Sequence, residues 1–277
     1  MSAGVWIDRK KDGWLATASL FVGAFLLVAS TMSDYGLTWD EPPYFQAADL
    51  EVQWLAQLWT NLLTGRAGES LNDRVILKAW HWDSYHVPHP PISRVLSGVS
   101  HALFSPPLDK FLAYRLPMAL FFAVLVTALY RWMAAVFGRT TGFFTAVLLV
   151  LMPNLFGQAH FVMTDMPLTV LWFLSAYCFW KGLQDWKWSL ALGVAWGLAL
   201  STKFPAFAIP IPLLLWAHLY HRRSYANNVC AMVFLSPAVM VLSNPYLWHK
   251  TLARLALFVY ESASRGLGEG IPILFFN

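Results

Sequence analysis

The chain alternates long apolar runs with short polar breaks, and its first run, residues 14–33, contains no Asp, Glu, Lys or Arg. At ~1.5 Å of rise per residue, a helix of that length crosses about 30 Å of hydrocarbon. Because Arg9, Lys10 and Lys11 precede it, the run also has the form of a signal peptide. The apolar runs that follow favour an anchor. They lie at 116–130, 140–164, 166–180, 188–202, 204–221 and 224–249 and are equally free of Asp, Glu, Lys and Arg. Flanking aromatics and snorkelling Arg or Lys extend the shorter ones to span length. The pattern predicts seven transmembrane helices at about 13–31, 111–136, 140–157, 163–182, 188–203, 205–220 and 228–247. The expected fold class is an all-α integral membrane protein with one membrane domain over 1–277. A first span (13–31) is followed by a long outer loop (32–110), then six spans (111–247) and an outer segment (248–277).

The outer loop has a periodicity of its own. Within 44–64, Glu51, Leu55, Leu58 and Leu62 fall at helical spacing beside Trp54 and Trp59, which predicts an amphipathic helix lying on the membrane. Between 91 and 104, Ile92, Val95, Leu96, Val99 and Leu103 form one apolar face of a second such helix. The loop therefore carries amphipathic juxtamembrane helices, the first of them ended by residues 65–69.

Composition turns this pattern into an exclusion. Of the 277 residues, 58% are hydrophobic and 12% charged, against about 45–50% and about 25% in average soluble domains. A soluble globule needs more polar surface than that. The 16% aromatic content rules out a disordered chain. Fifteen tryptophans, several near span ends, fit an interfacial belt. With the N-terminus cytoplasmic, the inner ends collect Arg9, Lys10, Lys11, Arg131, Arg139, Lys181, Lys187, Arg222 and Arg223, while Lys203 is the one base in a short outer loop. This is a positive-inside pattern. The inner acids are Asp8, Asp12 and Asp185, so the other acids lie outside. Cys178 and Cys230 sit in apolar runs without metal or CxxC spacing and read as packing residues.

The candidate chemistry lies at the outer rim. The chain has no Walker-type or dinucleotide-type glycine loop, no HExxH, no GxSxG and no Asp-x-Asp. No basic patch interleaved with aromatics suggests a nucleic-acid partner. Asp40 and Glu41 follow the first span in Thr-Trp-Asp-Glu-Pro-Pro-Tyr, and His81, Asp83, His86 and His89 crowd into a later stretch of the outer loop. Arg115 opens the second span, His160 and Asp165 occupy the turn before the fourth, and Lys203 lies between the fifth and sixth. Ionisable groups near hydrocarbon cost roughly 2.5–3.5 kcal/mol each at mid-depth, so a cluster of them asks for a reason. Charge-free span centres argue against an ion path through the bilayer. Plainer readings stand beside the functional one. Thr38-x-x-Glu41 matches a capping box, although Pro42 and Pro43 sit awkwardly in that register. Asp165 makes a good N-cap with Pro167 in the first turn. Arg115 and Lys203 have the alternative of snorkelling to lipid phosphates. The histidine spacing fits no standard metal-ligand set.

These residues, in this order, resemble the GT-C type polyprenyl-phosphate-sugar-dependent glycosyltransferases, the group containing the protein O-mannosyltransferases and the lipid A aminoarabinose transferases. The likeness starts with the N-terminal span, Trp39-Asp40-Glu41-Pro42 with Tyr44, and His89-Pro90-Pro91-Ile92 before an amphipathic helix. It continues through Arg115-Leu116-Pro117, Phe137-Gly138-Arg139, Pro153 and Thr164-Asp165. It ends with Gly197-Leu198-Ala199-Leu200-Ser201-Thr202-Lys203 and Asn244-Pro245-Tyr246, and so covers almost the whole chain. The resemblance implies a GT-C-like fold and a lipid-linked sugar phosphate as donor. Asp40 would be the general base at the catalytic centre, with Glu41 beside it, and Asp165 would help build that centre. A divalent metal would be held by Asp40 and Asp165. Lys203, Arg115, His89 and Tyr44 would bind substrate, the first two on the donor phosphate. Some relatives have Glu-Lys where this chain has Pro88-His89.

The sequence reading is thus a membrane glycosyltransferase passing a hexosyl, mannosyl or pentosyl group, with inversion, from an undecaprenyl or dolichyl phosphate to a hydroxyl of a protein, lipid or glycan acceptor. The expected location is a bacterial plasma membrane, with the active site outside. The alternative is a small multi-span transporter or a non-catalytic membrane scaffold. Relatives run longer, so 277 residues read as the N-terminal part of a larger enzyme.

Overall fold

The structure is a computed structural model and describes residues 14–81, 89–105, 107–220 and 225–264. Among the described residues all regular structure is helical and no strand occurs. In chain order the α-helices are α1 (Trp14–Thr31), α2 (Glu41–Leu63), α3 (Ala67–Ser70), α4 (Asp73–Trp80), α5 (Ile92–Phe104), α6 (Lys110–Phe137) and α7 (Arg139–Val150). They continue with α8 (Pro153–Gln158), α9 (Asp165–Gly182), α10 (Trp186–Leu200), α11 (Pro210–Tyr220), α12 (Ala226–Cys230), α13 (Ser236–Leu242) and α14 (Thr251–Ser264).

Among the described residues, two segments, Trp14–Asp34 and Lys110–Phe137, are long and apolar enough to cross a membrane. The other predicted spans are shorter or broken, and prolines account for several of the breaks, because proline lacks an N–H and clashes with the preceding turn. The stretch expected as 140–157 is divided between α7 and α8 at Met152-Pro153. The one expected at 205–220 begins as a 3-10 turn, Phe204–Ala208, ahead of Pro210. The last, expected at 228–247, passes from α12 through a π-helical turn, Ala231–Leu235, into α13 with Pro237 in its first turn.

The long helices form one packed group. α1 packs on α6, α6 on α7 and α9, α9 on α10, and α10 on α13. Val28, Met32, Phe122 and Met166 form part of the core between α1, α6 and α9. Cys178 packs inside as expected, whereas Cys230 faces outward.

The outer-loop helices sit against this group. α5 bridges α2 and α6. Its approach to α2 is close at Gly98, where an added Cβ would lie 2.7 Å from the Ala48 carbonyl oxygen. Only glycine permits that contact. The faces of α5 are reversed from those of a soluble helix: Ser93, Arg94, Ser97 and Ser100 are buried, while Leu96, Val99 and Leu103 are exposed. On α2, Glu51, Trp54 and Asn61 point inward and Leu62 points out. At the far end, Arg254 of α14 donates to the Tyr246 carbonyl at 2.7 Å and to Asp73 Oδ1 at 2.6 Å, fastening α14 to α4.

Candidate active site

Glu41 begins α2, with Pro42 and Pro43 in the first turn, where their missing N–H groups are not needed. Half of the expected capping box forms: Glu41 Oε2 accepts from the Thr38 N–H at 3.1 Å, while the Thr38 hydroxyl has no partner among the described residues. The rest of the carboxylate faces Arg115. Nε donates to Oε1 at 2.8 Å and a terminal nitrogen donates to Oε2 at 2.6 Å, a bidentate fork with both side chains buried. Arg115 also donates to the carbonyls of Met32 and Tyr35, each at 3.0 Å, and of Gly36 at 2.8 Å. All five of its N–H donors are therefore used. Glu41 Oε1 accepts a further bond from the Val162 N–H at 3.1 Å. The pair ties the exit of α1, the start of α2, the start of α6 and the turn before α9 into one junction.

Asp165 lies at the first helical position of α9. Thr164, not Asp165, is the N-cap residue, and Asp165 makes no capping bond. Its carboxylate instead meets Lys203 Nζ at 2.7 Å, with both side chains partly exposed. The end of α10 that carries Lys203 is held to the outer loop by the Ile92 N–H, which donates to the Ser201 carbonyl at 3.1 Å. Three residues before Ile92, the His89 ring stacks on Tyr44 with centroids 6.4 Å apart. Tyr44 lies one helical turn beyond Asp40. The Asp40 carboxylate is half-buried and makes no hydrogen bond to a described residue. The structure thus brings Asp40, Glu41, Tyr44, His89, Arg115, Asp165 and Lys203 to one end of the helix group.

Two features were not assigned a role from the sequence. Arg94 on α5 donates to Glu51 Oε1 from Nε at 2.9 Å and to the His89 carbonyl at 2.6 Å. Burial pushes the Glu51 carboxyl up to about 7, against the pull of Arg94, and its second oxygen has no partner among the described residues. The signal in the sequence was an acid on an otherwise apolar helix face. His160 is fully buried and stacks on Tyr35 at 4.2 Å. The Phe156 carbonyl, 2.7 Å from Nδ1, can only accept, so Nδ1 carries the proton and Nε2 receives the Thr31 hydroxyl at 2.8 Å. Burial lowers the His160 pKa and keeps the ring neutral.

The described residues do not assemble a metal-ligand set: no three His, Cys, Asp or Glu side chains gather. Neither Asp40 nor Asp165 belongs to such a set among the described residues, and Lys203 pairs with Asp165. Of the described loop histidines, His81 lies against Tyr246 at 5.6 Å and His89 against Tyr44. Asp83 and His86 lie outside the described residues, as do Arg9, Lys10, Lys11, Arg222 and Arg223. Beside His89, a narrow crevice is lined by Trp80, Arg94, Asn244 and Tyr246. The Asn244-Pro245-Tyr246 stretch therefore adjoins the same rim.

Comparison with known proteins gives this geometry a context. No curated protein and no solved structure matches the chain. The family model for dolichyl-phosphate-mannose-protein mannosyltransferase matches residues 88–249, more than half of the chain, and includes His89, Arg115, Asp165 and Lys203. This is a membrane-associated family of glycosyltransferases that work from a lipid-linked sugar phosphate. The chain belongs to the dolichyl-phosphate-mannose-protein mannosyltransferase family, of the GT-C type.

Proposed function

We propose that the chain moves a sugar from a polyprenyl phosphate, undecaprenyl or dolichyl, to an acceptor hydroxyl at the extracytoplasmic membrane face. What supports this reading is the placement, at the same end of the helices, of a half-buried Asp40 with no side-chain hydrogen bond to a described residue, the Asp165–Lys203 pair and the Tyr44–His89 stack. Asp40 takes the proton of the acceptor hydroxyl, whose oxygen attacks the anomeric carbon. The bond from that carbon to the phosphate oxygen breaks with inversion, and the polyprenyl phosphate leaves with the electron pair. Lys203, steadied by Asp165, faces the charge that develops on the phosphate. His89 and Tyr44 bind the donor. Glu41 and Arg115 act by positioning, since both side chains are buried and every Arg115 donor is taken.

The charge pattern supports seven crossings with the acidic rim outside, and the exposed Leu96, Val99 and Leu103 suit a helix α5 resting on lipid. The acceptor is a protein, lipid or glycan hydroxyl. The test uses the full chain in proteoliposomes with a polyprenyl-phosphate sugar labelled in the sugar. Label leaving the lipid fraction together with released polyprenyl phosphate supports transfer. Intact donor with concentrative uptake of a free solute would assign the chain to transport instead.

A further inference from the structure

The crevice beside His89 encloses a slot of about 10 Å³, lined by Trp80, Arg94, Asn244 and Tyr246, with Phe258 of α14 on its wall. That is about the room one water-sized group needs. Two polar side chains of the wall are spare. Trp80 is 3% exposed, and its indole N–H is buried without a partner among the described residues. A buried indole ordinarily finds one. The Trp54 ring packs edge-on against it at 5.3 Å and fixes its orientation. Asn244 is 7% exposed and begins the 3-10 turn Pro245–Leu247 without a side-chain capping bond. An asparagine at such a start ordinarily caps the turn with its amide oxygen. Here the amide makes no hydrogen bond to a described residue.

The spare groups specify what fits. An indole N–H only donates, whereas an amide both donates and accepts. A hydroxyl complements the two, because its oxygen accepts from the indole while its proton goes to the amide oxygen. A methyl group of the same size would leave both unpaired, and a phosphate exceeds the slot. The slot also adjoins the donor side of the rim, since Arg94 on its wall donates to the His89 carbonyl at 2.6 Å. Within a polyprenyl-phosphate sugar only the sugar carries hydroxyls. We infer that the slot receives one hydroxyl of the donor sugar, and that Trp80 and Asn244 determine which sugar the chain accepts. This rests on the proposed function for the identity of the donor and adds a selectivity determinant to it.

The test is equilibrium binding, without acceptor, of the full chain in detergent to polyprenyl phosphates carrying mannose or arabinose. For the sugar bound more tightly, each singly deoxygenated analogue is then compared with its parent. In the wild type one analogue binds about 10- to 100-fold more weakly, because losing that hydroxyl leaves buried groups unpaired. Asn244→Ala, which removes no side-chain bond to a described residue, narrows the gap about tenfold, the scale of one hydrogen bond. Trp80→Phe narrows it in the same direction. Equal binding of parent and every analogue by the wild type would overturn the inference, as would a gap of wild-type size in a variant that melts like wild type. Discrimination in binding without sugar transfer in proteoliposomes would remove the proposed reaction and leave the slot assigned. Transfer without discrimination would do the reverse.

Discussion

Arg115 and Glu41 stand 74 residues apart and meet in a buried bidentate pair, around which the exit of α1 and the turn before α9 are fastened. Removing one partner of such a pair leaves an uncompensated buried charge and costs about 3–5 kcal/mol. Arg115→Ala and Glu41→Ala should each lower thermal stability by that order. Arg115→Lys should rescue little, because an ammonium cannot reproduce the planar fork. Unfolding of the detergent-solubilised variants checks this, and full stability in Arg115→Ala would refute the junction.

The Asp165–Lys203 pair should behave differently. Both groups are partly exposed, so solvent screening limits the pair to about 0–1 kcal/mol of stability. Lys203→Ala should therefore fold normally while losing about 10²-fold in transfer rate, the scale of a lost charge-stabilising donor. Parallel melting and rate measurements separate the two effects.

Glu51 gives a pH signature. Its folded carboxyl is raised to about 7 from an unfolded value of 4.5. Between those values the folded chain holds the proton more tightly, so this contribution is full below pH 4.5 and is lost as pH rises through 7. Comparing wild type with Glu51→Gln across that window should show this slope only in the wild type. Because Arg94 also holds the His89 carbonyl, the variant should weaken donor binding more than maximal rate.

His160 slopes the opposite way. Its folded pKa is lowered from 6.5 by burial, so its contribution is present above pH 6.5 and is lost as pH falls towards the folded value. His160→Gln should flatten the acid side of the stability curve. An unchanged acid slope in the variant would contradict the neutral, doubly bonded ring.

Period and hydropathy made most of the helices legible. The α1 and α6 segments were expected at 13–31 and 111–136 and run Trp14–Thr31 and Lys110–Phe137. What period could not tell was which face of α5 turns inward. In a soluble helix the apolar face does, but here Ser93, Ser97 and Gly98 pack on α2 and α6 and the leucines face out. Hydropathy also overran the breaks at Pro153 and Pro210, since it averages over residues that end helices. For the site, chain order and charge led to the expectation that every candidate lies on one side. They could not show that Arg115 would be consumed by Glu41 or that Asp165 would face Lys203, because pairs this distant in sequence depend on tertiary packing.

The proposed transfer depends on Asp40 acting as the base. The most direct measurement is single-turnover transfer from saturating polyprenyl-phosphate sugar by Asp40→Asn beside wild type, with both proteins matched for thermal stability. A positioned general base contributes roughly 10²–10⁴-fold, so the variant should bind donor normally and fall in rate by that order. Transfer by Asp40→Asn at the wild-type rate would exclude Asp40 as the base.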